Sequence, residues 1–227
     1  MTSPAEGREA LPPALREAVR RDLAPVTPLA PPWRRTIFLA LPTLLVVVAV
    51  LCLLVLRGGA ANVFSLAGGG VSLLEWSTGL GLLWLAMREA VPGLGVGAGR
   101  ALLALSAGVL LQVGLGLLLW WSGGAALSGP AAAAVGAQCA TMEGAIGLPH
   151  LAIAIWLALR ALPIRPRWSG ALAGAAAGLL ADSVWHLACA RNDLEHLLVW
   201  HLGATLAMAA VGALSGSLWP RRPGLAG

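Results

Sequence analysis

Six runs of mostly apolar residues constrain this chain more than any other feature: Thr36–Leu56, Val71–Met87, Ala101–Trp121, Cys139–Leu159, Trp168–Ala188 and Leu194–Trp219. Spanning a bilayer takes about 20 such residues as a helix. In lipid every backbone polar group needs an internal partner, so each run predicts a helix. The expected fold is an all-α membrane protein, a six-transmembrane-helix bundle. The second run is the weakest, being short and carrying Glu75. Only 11% of the 227 residues are charged and 58% are hydrophobic, whereas soluble domains carry about a quarter charged residues. Mean hydropathy is +0.81.

Arginine sets the expected orientation. With the N-terminus in the cytoplasm, the inner side holds Arg8, Arg16, Arg20, Arg21, Arg34 and Arg35, then Arg88 and Arg100, then Arg160, Arg165 and Arg167, then Arg221 and Arg222. Only Arg57 and Arg191 fall outside. This is the positive-inside pattern, and it predicts both termini cytoplasmic. It also accounts for the net charge of +5 without direct nucleic-acid binding. The first apolar run is longer than a signal-peptide core, so it reads as an uncleaved span.

Three parts follow: a cytoplasmic tail (1–35), the transmembrane domain (36–220) and a short cytoplasmic C-terminal tail (221–227). Within the first lies "ALREAVRRDLA", framed by Pro12-Pro13 and Pro25. Leu15, Ala18, Val19 and Leu23 share one helical face there. A helix of about a dozen residues is marginal alone and needs a surface, either the lipid bilayer or a partner's groove. The segment after it, with Pro25, Val26, Pro28 and Leu29, should be extended and stiff.

Small residues recur every four positions on the last two spans, Gly170, Gly174 and Gly178, then Gly212 and Gly216. Such spacing permits close backbone approach, within one bundle or across a homodimer seam. No internal repeat stands out, which disfavours an inverted-repeat transporter. The glycines of "GLGVGAG" follow no strand and carry no dinucleotide fingerprint.

Polar residues concentrate at the outer end of the last two spans, in "VWHLACARNDLEHLLVWH". Nearly equal numbers of residues separate Cys139 from Pro163 and Pro166 from Cys189, a climb of about 35 Å in each arm at about 1.5 Å per residue. The two cysteines are therefore expected at one depth on neighbouring helices. Glu143, Asp182, His186, His196 and His201 gather near them as supporting polar groups. Three readings stand: a disulfide; a zinc or heavy-metal ion held transiently by Cys139, Cys189, His186 and His196; or boundary residues wetted by water. Cys52 reads as a small buried hydrophobe. Glu75 is expected to pair with Arg57 or face water. A membrane redox or haem protein using His150, His186, His196 and His201 is the alternative class. No nucleophile motif or paired carboxylates suggest an enzyme.

The chain resembles the NrsF family of bacterial membrane anti-sigma factors over nearly its whole length. The resemblance is carried by "RDLAPVTPLAPPWRR", by Cys139 with Pro149 and "LALR", and by "SGALAGAAAGLLADSVWHLACARNDLEHLLVWH". It implies an inner-membrane protein that holds an extracytoplasmic-function sigma factor through its cytoplasmic segment. Leu15, Val19, Leu23, Pro25, Val26, Pro28 and Leu29 would make that contact. It also implies that Cys139 and Cys189 sense metal or redox stress in the periplasm.

Overall fold

The computed structural model describes residues 12–22, 28–57, 65–121, 129–189 and 191–218. These residues are overwhelmingly helical, and no strand occurs among them. The chain divides into two units, Met1–Ala30 and Pro31–Gly227.

The first unit contains α1, Pro13–Asp22, which starts directly after Pro12 as proline's fixed φ favours. Leu15 and Val19 are 47% and 46% exposed. Pro28 and Leu29 are exposed as well, while Leu23, Pro25 and Val26 lie outside the described residues.

The described residues of the second unit form six long helices. They are α2 (Pro32–Leu56), α3 (Val71–Glu89), α4 (Ala98–Trp121), α5 (Pro130–Leu159), α6 (Pro166–Trp185) and α7 (Leu194–Leu218). Proline in the first turn starts α2, α5 and α6. A π turn, Leu66–Gly70, leads into α3, and a second one, Leu197–Leu202, lies inside α7.

Five of these helices are long and apolar enough to cross a membrane, the third of them counted from Gly68 to Glu89. α6 is the exception. Its glycines, serines and Asp182 keep its hydropathy low, yet every residue from Ser169 to Val184 is buried. The explanation is its position: α6 packs against α3, α5 and α7 at the centre of the bundle. A helix surrounded by other helices needs small residues for close approach more than it needs lipid-soluble ones. Gly170 lies against the backbone of Gly212, Gly174 against that of Met208 and Gly216 against that of Pro166. The glycine stripes thus serve contact within the chain and are not left over for a second copy.

Several boundaries differ from expectation. α5 begins at Pro130, more than two turns before Cys139. The segment "PAAAAVGA" looked like part of a loop, but alanine is the strongest helix former and the proline starts the helix. α6 ends at Trp185, so Cys189 lies in the connection to α7 and not on a span. α2 starts at Pro32, which moves Arg34 and Arg35 from the tail into a helix. Cys52 is exposed on α2 and not buried.

The arginine-rich end of the bundle is tightly tied. Arg35, 3% exposed, donates to the carbonyls of Leu157 (3.1 Å) and Met87 (3.0 Å), in the last turns of α5 and α3. Those carbonyls have no partner within their own helices and carry the negative pole of the helix dipole. Glu89 bonds Arg165 (2.9 Å) and accepts from the Gly97 N–H (3.0 Å), closing the α3–α4 loop. Four arginines cover tryptophan rings at this end: Arg34 on Trp33, Arg88 on Trp84, Arg160 on Trp156 and Arg167 on Trp168, at 4.9–5.2 Å.

Candidate functional site

At the opposite end α5, α6, α7 and the connection between the last two enclose a buried polar cluster. Its frame begins in the connection. Arg191 Nε donates to Asp193 Oδ2 (2.7 Å), and Asp193 Oδ1 accepts from the backbone N–H of His196 (3.1 Å). Asp193 is thus the N-cap of α7 and satisfies one of its orphan donors. The cap fixes where α7 starts and therefore where His196 points.

The π turn then determines what lies beneath His196. In a regular α-helix, residues five apart point about 140° away from each other. The π turn, with its wider i→i+5 bonding, brings His196 and His201 together. Their Nε2 atoms are 3.3 Å apart and their rings meet edge to face.

Both cysteines face this pair. Cys139 Sγ lies 3.8 Å from Cys189 Sγ, and Cys189 Sγ lies 3.4 Å from His196 Nε2. Both cysteines are free thiols here. The neighbouring Cys139 sulfur, with burial adding to it, holds the Cys189 thiol above its ordinary pKa range. Two adjacent thiols in a dry site resist carrying two negative charges.

Carboxylates support the histidines from below. His201 Nδ1 is 2.7 Å from Asp182 Oδ1 and 2.7 Å from Glu143 Oε1. The ring N–H donates to Asp182, with the Glu143 carboxylate equally close beside it. Asp182 Oδ2 accepts from Gln112 Nε2 (2.6 Å), which also reaches Thr205 (3.2 Å). Glu143 and Asp182 are 0% and 1% exposed. Buried ionisable groups are expensive, and inside a membrane bundle they mark function by default.

The sequence-predicted residues thus divide. Cys139, Cys189, His196 and His201 meet with all four ligand atoms within 4.8 Å of one another. His186 is not in that group. It joins Asp182 and His201 in a second one, and its Nδ1 lies 4.0 Å from Glu75. α6 ends at Trp185, His186 caps it and Cys189 lies three residues beyond, and the chain turns Cys189 towards α5 and His186 towards α3. Glu75 therefore neither pairs with Arg57 nor faces water; it is 3% exposed beside His186. His150 stands apart, engaged by Thr43 Oγ1 (2.6 Å) and the Ile146 carbonyl (3.1 Å). Both its nitrogens are used, which disfavours it as a haem ligand. Trp200 packs its indole on Gly136 of α5.

Sequence reasoning missed Gln112. A lone glutamine in an apolar run is a usable signal, since a buried amide demands partners. It also missed Arg35 as a clamp, because positive-inside counting treats every arginine alike.

Comparisons with curated proteins and with solved structures gave no match. The sequence model of one family, NrsF, described as negative regulator of sigma F, matches residues 20–221. That span takes in part of α1, all six long helices and every residue of the polar cluster. The chain therefore belongs to the NrsF family of negative regulators of sigma F.

Proposed function

We propose that this protein is a polytopic inner-membrane anti-sigma factor with six spans and both termini in the cytoplasm. It sequesters an extracytoplasmic-function sigma factor through α1 and the segment after it, and it responds to metal or redox stress through Cys139 and Cys189 on the periplasmic side. The family match carries the regulatory part of this reading. The arrangement of chemistry supports the rest. Arginines and their tryptophans lie at one end of the bundle, as at a cytoplasmic face. Two thiols 3.8 Å apart lie at the other, where an oxidant or soft metal from outside would arrive. α1 presents Leu15 and Val19 on a face of its own, the form in which an amphipathic helix enters a partner's groove.

The test is deletion of residues 1–30. Co-purification of the sigma factor should be lost and its regulon switched on, while the bundle still accumulates in the membrane. Unchanged co-purification would sink the proposal. Cys139→Ser and Cys189→Ser should alter the stress response alike, because the two sulfurs act as one site.

A further inference from the structure

Tetrahedral zinc fixes the distances between its own ligands. With bonds of about 2.3 Å to thiolate sulfur and about 2.0–2.1 Å to imidazole nitrogen, ligand atoms stand apart by about 3.8 Å for S–S, about 3.5 Å for S–N and about 3.3 Å for N–N. The corresponding separations are 3.8 Å between Cys139 Sγ and Cys189 Sγ, 3.4 Å between Cys189 Sγ and His196 Nε2, and 3.3 Å between His196 Nε2 and His201 Nε2. The remaining pairs are also within 4.8 Å. The geometry points to a closed Cys2His2 site for Zn2+, formed by Cys139, Cys189, His196 and His201.

Three further observations fit that ion. First, His201 Nδ1 is held by Asp182, with Glu143 beside it, and this turns its Nε2 towards the thiols. A carboxylate behind a ligating histidine is the usual outer partner of protein-bound zinc. Second, two thiolates balance one dication, so the ion and its four ligands carry no net charge between them, which lowers the cost of burying the thiolates. Third, the ligands come from separate elements: α5, the α6–α7 connection and α7. Bound zinc would join them into one unit. Four protein ligands leave no open position, so the site is structural and not hydrolytic. His201, not His186, is the fourth ligand, since His186 faces Glu75.

The site stands on its own geometry; only its regulatory consequence rests on Cys139 and Cys189 being the responsive pair. The experiment uses the full chain in detergent micelles, purified without chelators. Metal content should be about one zinc per chain, with X-ray absorption showing two sulfur and two nitrogen neighbours. Cys189→Ser and His201→Gln should lower the content at least roughly tenfold, and His186→Gln should leave it unchanged. Folding failure is separated from ligand loss by the wild type alone: stripped of metal and titrated with Co2+, it should develop the visible bands of a tetrahedral thiolate complex. A wild type that holds no zinc and gives no such bands overturns the site. So does loss of zinc in His186→Gln with retention in His201→Gln. Sigma-factor co-purification is read from the same samples. Protein that takes up neither zinc nor Co2+ yet carries the sigma factor overturns the zinc site alone; zinc-loaded protein without it overturns the anti-sigma reading alone.

Discussion

A single carboxylate, Asp182, decides which nitrogen of His201 faces the thiols. It takes the Nδ1–H and is itself held by Gln112. Replacing Asp182 with Asn keeps a group of the same size but removes the charge behind the ring. Co2+ or Zn2+ affinity should fall about 10–100-fold, measured by competition with a chromogenic chelator; unchanged affinity would show that Asp182 serves packing alone. How much of this cluster could be read in the sequence depends on the residue. Cys139 and Cys189 do meet, as counting along the two arms suggests, but α6 stops at Trp185 and the connection carries Cys189 the last four residues. His201 joins them only because a π turn intervenes, and nothing in "LLVWHL" announces that turn. His186 looked equivalent to His196 by proximity to Cys189, but the end of α6 turns His186 to Glu75 while the cap of α7 aims His196 at the thiols.

At the scale of elements, α6 is defined by what it lacks. A β-carbon on Gly174 would run into the Met208 carbonyl of α7, a backbone atom that cannot swing away. Gly174→Ala should therefore destabilise the bundle by about 1–3 kcal/mol, seen as a lower thermal midpoint in detergent. Gly81→Ala is the comparison: its added methyl meets nothing within 4 Å, and stability should hold or rise. The glycine spacing is plain in the sequence, and it correctly announces close packing. Which helix fills the groove is not, since any helix with small residues would serve. The start of α5 was hidden for the opposite reason: glycine and serine before Pro130 suggested a long loop, and the alanines after it are helical.

Across the whole molecule, the two ends perform different chemistry, and few side chains refer to both. Arg35 is one link. It grips the last turns of α3 and α5, helices whose other ends carry Glu75, and Cys139 with Glu143. The all-helical class was legible from hydropathy, because apolar runs of about 20 residues pair their backbone groups within one segment as helices, and five of the described helices are long and apolar enough to cross a membrane. α6 read in the sequence as an apolar run like the others, yet it is not among the helices apolar enough to cross a membrane, since a centre enclosed by protein is freed from that demand. This has a consequence for how the chain is made. During synthesis α6 emerges before α7, so the helix with least affinity for lipid must wait beside the membrane for its partner. In the six-span reading the two enter together as a hairpin. Placed alone in a reporter protein, residues 166–185 should integrate poorly, and residues 166–218 should integrate efficiently, as scored by which of two acceptor sites flanking the segment becomes glycosylated. Efficient integration of residues 166–185 alone would mean that α6 needs no escort.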